Sequence, residues 1–256
     1  MSQNIANPNP EKVIARTSEC LRRLMEAGLT YEDLQSPIDD PKMRARLVNF
    51  WQSGGYEPTT DEKMARLIGI PMFGVQETIQ HFRLKPTKAQ LATLSVIPFS
   101  EQELSEVKDT HILVAVFPLS ILDIKGKVDR SLFYSKEDAW FNPEKFAKDK
   151  GQVGWHLVCK TIVPNSTDKT YSEQQALLLA NEEVTIVRVL VYTIIGHYLA
   201  TGERLFGNIY ARCSDLDSGG GHVCVSYFDS DGLRVSISST GNRLYNIGLA
   251  SSRKFK

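Results

Sequence analysis

The 256-residue chain predicts an α+β fold, with an N-terminal helical bundle followed by a mixed domain that ends in an antiparallel β-meander. Three observations carry this expectation. Helix-start signals crowd the first part of the chain, a short run of branched apolar residues opens at His111, and turn sequences alternate with period-two strands near the C-terminus.

In the first part, Asn9-Pro10 and Asp40-Pro41 each place a side-chain acceptor before a proline at the first helical position. Thr59-x-x-Glu62, Thr87-x-x-Gln90 and Ser100-x-x-Glu103 have capping-box spacing, and Gly28 and Gly54 supply helix stops. Val13, Cys20, Leu21, Leu24 and Met25 share one helix face, as do Leu47, Val48 and Trp51. These signals predict a helical domain over 1–107. At His111 to Phe117 the run of branched residues fits a buried strand, which puts the start of the second domain, 108–256, at residue 108. Asp123 to Asp129 and Ser135 to Asp149 read as polar and aromatic loop with a short helix around Pro143 to Lys148, and Trp155 to Val163 alternates like a half-exposed strand. A helix follows over Glu173 to Leu179. The apolar stretch Val184 to Ala200, interrupted by Arg188 and His197, reads as a buried helix or a strand followed by a helix. The turns Asp217-Ser218-Gly219-Gly220-Gly221, Asp229-Ser230-Asp231-Gly232 and Thr240-Gly241-Asn242 then separate the strands of the meander. Its expected buried face holds Val223, Val225, Tyr227, Leu233, Val235 and Ile237. Its outward face holds His222, Cys224, Ser226, Phe228, Arg234, Ser236 and Ser238.

Composition excludes some functions. Thirty basic and thirty acidic residues leave no net charge, so no overall field draws the chain to nucleic acid or an anionic membrane. The N-terminal residues have no basic cluster and no apolar stretch of a secretory signal, so a cytoplasmic location is expected, with no membrane partner. Cys20, Cys159, Cys213 and Cys224 show no CxxC spacing and read as isolated thiols. Cys213 and Cys224 flank a turn and could face each other across a hairpin, yet a reducing compartment keeps them free.

Two segments carry alternative chemistry. Lys63 to Phe82 has helix-turn-helix spacing, with Ala65 at the crossing, Gly69 at the turn and Val75 inward. That spacing supports a DNA-associated regulator that reads through Arg66, Gln76, Gln80 and Arg83. Against it, Pro71, Met72 and Phe73 open the second helix where polar readers are wanted. Asp215, Asp217, Asp229 and Asp231 sit on turns as calcium ligands do, but no twelve-residue loop ends in glutamate, so no metal is expected. The five histidines are scattered, Ser120, Ser218 and Ser230 lack a nucleophile-elbow context, and no glycine loop opens a helix. No cofactor and no enzymatic centre is expected.

The strand at Trp155-His156-Leu157, the helix leading into Gly202-Glu203-Arg204-Leu205, the meander and the closing Asn246 to Arg253 together resemble the bacterial C-type-lectin-like fold. Within that fold they are similar to domains related to formylglycine-generating enzymes and to the variable proteins of diversity-generating retroelements. Phe206 stands where those domains carry proline, a Gly-Gly-Ser-Trp element is missing, and none of the enzymes' catalytic residues has a matching position. The resemblance to variable proteins implies a non-enzymatic module that binds a protein or small-molecule ligand through an outward, diversified face. The residues expected to form that face are His222, Ser226, Arg234, Ser236, Ser238, Asn242 and Tyr245, small or amphipathic types suited to adaptable contacts. The helical part would then serve as a partner-binding or assembly platform.

Overall fold

The computed structural model describes residues 9–52, 54–135 and 138–254, and within them it leaves the side chain of Ser226 undescribed. The chain is α+β and divides into two compact units, 1–52 and 53–256. The sequence suggested a division near residue 108. Residues 53–107 instead belong with the sheets, for a reason visible in the pairing below.

The first unit holds α1 (Pro10–Glu26), α2 (Tyr31–Asp39) and α3 (Pro41–Gln52). Each begins where a side chain satisfies first-turn amides. Asn9 Oδ1 accepts from Glu11 N, Thr30 and Asp33 form a capping box, and Asp40 Oδ1 accepts from Lys42 N. No residue of these helices is buried.

The second unit begins with α4 (Thr60–Ile68), β1 (Met72–Phe73), α5 (Val75–Phe82), α6 (Lys88–Thr93) and α7 (Glu101–Val107). The capping boxes expected at Thr59, Thr87 and Ser100 all form. Next come β2 (His111–Val116), α8 (Ile121–Lys127), a 3-10 turn over Arg130–Leu132, α9 (Lys145–Lys148), β3 (Gly154–Cys159), α10 (Tyr171–Gln175), β4 (Glu182–Val184) and α11 (Val187–Thr201). The chain closes with β5 (Tyr210–Leu216), β6 (His222–Asp229), β7 (Gly232–Ser238), β8 (Ile247–Leu249) and β9 (Ser251–Arg253).

One mixed sheet runs β1-β2-β3-β9-β4 and a second runs β7-β6-β5-β8. Strand β2 is buried along its whole length because helices cover both of its faces. Ile112, Val114 and Val116 enter a core with α11 and the second sheet, while Leu113 and Ala115 pack with Ala65, Val75, Ile79 and Leu104 of α4, α5 and α7. Helices α4 to α7 therefore form one cover of the sheet instead of a separate bundle. The pairing of β1 with β2, Met72 with Leu113 and Phe73 with Val114, ties them to it. Gly196 of α11 lets the helix approach β1, since a Cβ there would lie 2.7 Å from the Phe73 ring. The C-terminal segment, expected as one strand, splits at Ala250. β8 runs parallel to β5 in the second sheet, while β9 joins β3 and β4 in the first, so the last residues stitch the two sheets together.

Candidate binding surface

The meander forms as expected in β5, β6 and β7, with antiparallel pairing throughout. Ala211, Val223, Val225, Leu233 and Val235 face the core shared with α11. On the opposite face lie Tyr210 and Arg234, both paired through the backbone of Ser226, then a row of Arg212, Cys224 and Ser236, then His222 and Ser238. The outward face is thus the one the alternation predicts, but it has two ends with different fates.

One end is covered. Arg212 is fully buried and donates from Nη1 to Gln174 Oε1 at 3.0 Å, and from Nη2 to Ser238 Oγ at 2.8 Å and Asn242 O at 3.3 Å. Gln174 itself donates to Ser166 O and Ile247 O. His222 is buried, its ring stacked on Tyr171 at 3.6 Å between centroids and its Nδ1 3.2 Å from Cys213 O. The cover is α10, held in its capping box by Thr170 and Glu173 and pinned by the Arg243–Glu173 ion pair at 2.6 Å. The Thr170 backbone amide, the Arg243 guanidinium and the Thr170 hydroxyl all donate to the Glu173 carboxylate and pull its pKa down to about 2. His222 and Ser238, expected as ligand contacts, are therefore parts of a buried polar network, with Ser238 only 4% exposed. Alternation alone cannot show this, because the covering helix, Tyr171–Gln175, lies far upstream of both residues. Ile237, expected in the core, is 47% exposed: it pairs with Val223 near the end of an edge strand, beyond the reach of α11 packing.

The other end is open. Arg234 lies 4.1 Å from the Tyr134 ring and 3.5 Å from the carboxylates of Asp229 and Asp231. Tyr210 and Tyr227 rings sit 4.7 Å apart, and Asn246 Nδ2 donates to Tyr227 Oη at 3.2 Å. The sequence placed Tyr227 inward and Phe228 outward, and the structure reverses them. A bulge between Ser226 and Asp229, with Tyr227 in the left-handed region at φ 46°, drives Phe228 into the core and turns Tyr227 toward Tyr210. Burial raises the Tyr210 phenol above its ordinary value. Ser236 is half-buried, and the Asn242 and Tyr245 side chains are exposed, Tyr245 by 78%. The Ser226 side chain lies outside the described residues.

The β7 edge is closed to pairing. Tyr134 N donates to Leu233 O and Trp140 Nε1 to Val235 O. Gly232, at φ 103°, is required there, since a Cβ would meet Phe133 C at 2.7 Å. Tyr134, Tyr210 and Arg212 escaped the sequence reading because the first enters this surface from a distant loop and the others precede the apparent start of the meander.

The DNA-reading segment is rebuilt by β1. Helix, strand and helix replace helix, turn and helix, and α5 buries Val75, Thr78, Ile79 and Phe82. Arg66 pairs with Glu77 at 2.7 Å, Gln76 is half-buried, and Gln80 and Arg83 are exposed, Arg83 as a left-handed helix cap. Among the turn aspartates, Asp217 Oδ1 accepts from Gly221 N, Asp229 Oδ1 from Asp231 N, and Asp215 Oδ2 caps α11 at Val187 N. No group of three or more potential metal-ligating His, Cys, Asp or Glu side chains occurs among the described residues, and no described helix is long and apolar enough to cross a membrane. The four cysteines are free thiols, Cys213 and Cys224 buried. Searches against protein-family models, curated proteins and solved structures returned no match to this chain.

Proposed function

We propose that the second unit is a non-enzymatic binding module, and that its contact surface is the open end of the outward face, Tyr134, Tyr210, Tyr227, Arg234 and Ser236, together with the exposed Asn242 and Tyr245 side chains of the segment after β7. The observation that carries this is Tyr227. Its left-handed backbone costs about 1–3 kcal/mol for a residue of this type, and it turns an aromatic ring outward where strand alternation would bury it. Aromatic and arginine side chains on a rigid scaffold are the residue types that dominate binding energy.

Within this reading the fold is C-type-lectin-like and the surface is of the kind that diversity-generating retroelements vary. The test is sequencing of this gene across a population of the source cells. Substitutions should gather at codons 226, 234, 236, 242 and 245 while 223, 225, 233 and 235 stay constant, with a reverse transcriptase gene and a repeat of the C-terminal coding segment nearby. Variation spread evenly over inward and outward positions would sink the proposal.

A further inference from the structure

The first unit has a surface that its own helices do not cover. None of residues 9–52 is buried, and only Leu21, Leu29, Leu34, Pro37 and Leu47 are even half-buried. Ile14, Met25, Tyr31, Ile38 and Trp51 stand at 46–73% exposure. Leu21 and Leu24 of α1, Leu34 of α2 and Leu47 and Trp51 of α3 line an open groove of about 550 Å³. A unit of this size and composition is short of the core it needs, and pairing with another chain is the usual remedy.

The charges say which chain. Seven basic residues (Lys12, Arg16, Arg22, Arg23, Lys42, Arg44, Arg46) balance seven acidic ones (Glu11, Glu19, Glu26, Glu32, Asp33, Asp39, Asp40) over 1–52. They are segregated. Helix α2 and its cap Asp40 carry only acids, and α3 carries only bases. On α1, Glu19 is already paired with Arg22 and Arg23. Lys42, Arg46 and Glu32 make no ion pair among the described residues. An anionic membrane or nucleic acid would meet the carboxylates of α2, whereas a second copy related by a two-fold axis sets α2 of each against α3 of the other. We propose that the α1–α3 unit is a self-association module, its apolar groove filled by the same unit of a second copy and its register set by acidic α2 against basic α3.

Sedimentation velocity of the full chain at about 100 μM and below tests this. A dimer is expected, and Leu24→Glu with Trp51→Glu should weaken it about tenfold or more while the second unit keeps its near-ultraviolet circular dichroism. The Lys42→Glu/Arg46→Glu chain and the Glu32→Lys/Asp39→Lys chain should each be largely monomeric. Mixed together they should form a heterodimer, because both cross-copy contacts become attractive again. A monomeric native chain overturns the proposal, including the case in which the N-terminal helices dock on their own second unit. So does a dimer insensitive to the groove variant, or two charge variants that fail to recombine.

Discussion

The covered end of the β-face should behave as a closed electrostatic unit, and Gln174→Ala probes it. The substitution leaves Arg212 Nη1 buried without its acceptor, and leaves Ser166 O and Ile247 O without a donor. Loss of a hydrogen bond to a charged group costs about 1.5–3 kcal/mol and each stranded neutral carbonyl about 1. The space vacated is polar and admits a water that recovers part of this, so about 3 kcal/mol is expected. Arg212→Met removes the cation and strands only neutral acceptors, the buried Gln174 Oε1 and Ser238 Oγ and the Asn242 O of an exposed residue, which water reaches, at about 2 kcal/mol. If the pair acts as a unit, the double variant costs about 3 rather than 5 kcal/mol, a coupling of about 2. Urea unfolding of the four proteins, with slopes compared to exclude changes in the unfolded state, measures the cycle. Strict additivity, or a Gln174→Ala cost under about 0.5 kcal/mol, would show that water reaches Arg212 and that α10 does not seal this end. His222 and Ser238 would then return to the list of ligand contacts.

Three further outcomes follow from burial. Val225→Ala should cost about 2 kcal/mol and Ile237→Ala less than about 0.5 in the same unfolding assay, because only the first side chain lies in the core; equal costs would mean that β7 is out of register. His111, 4% exposed, has its pKa lowered to about 4 from 6.5, first by burial and then by Arg253 and Lys160. Above pH 6.5 it is neutral in both states and contributes no pH dependence. As pH falls toward 4 the unfolded chain takes a proton that the folded one refuses, so stability drops by about 3 kcal/mol from this group. The partly exposed His156, lowered likewise to about 4 by burial and Arg188, adds a smaller drop. A His111→Leu protein should show a flatter pH profile between 6.5 and 4, and an unchanged profile would refute the assignment. Native protein should expose Cys20 to a thiol reagent at once while Cys213 and Cys224, buried and with thiol pKa values raised by burial, react only on unfolding; rapid labelling of all four would show that the β-face opens.

Local signals were the legible part of this fold. Side-chain caps act within three residues, so Asn9, Thr59, Thr87 and Ser100 could be read directly, and each heads a helix. Sheet membership was not legible, because it depends on partners far away in sequence. Met72 and Phe73 look like the start of a helix and become a strand only beside β2, and the closing strand divides only because Ala250 sits between two sheets. The same contrast runs through the candidate surface. Period-two alternation identified the outward face as far as Cys224, then failed at the Tyr227 bulge, where one extra residue exchanges inside and outside. Nothing in the run from Val223 to Asp229 marks that exchange.

The two ends of the face also support each other. The segment after β7, which carries Asn242, Tyr245 and Asn246, is held through its main chain: Tyr171 N donates to Thr240 O, Arg212 Nη2 to Asn242 O, Asp168 N to Leu244 O and Tyr210 N to Asn246 O. Main-chain carbonyls are present whatever the side chain, so these bonds fix the loop without using the side chains of Asn242, Leu244 or Tyr245. A buried arginine serves this better than a shorter donor, since its planar fork reaches Gln174, Ser238 and a loop carbonyl at once. The covered end thus contributes stability that is independent of what the exposed loop positions carry. The diversified surface proposed above would need that division, with tolerance to substitution at Asn242 and Tyr245 rather than at His222 and Ser238.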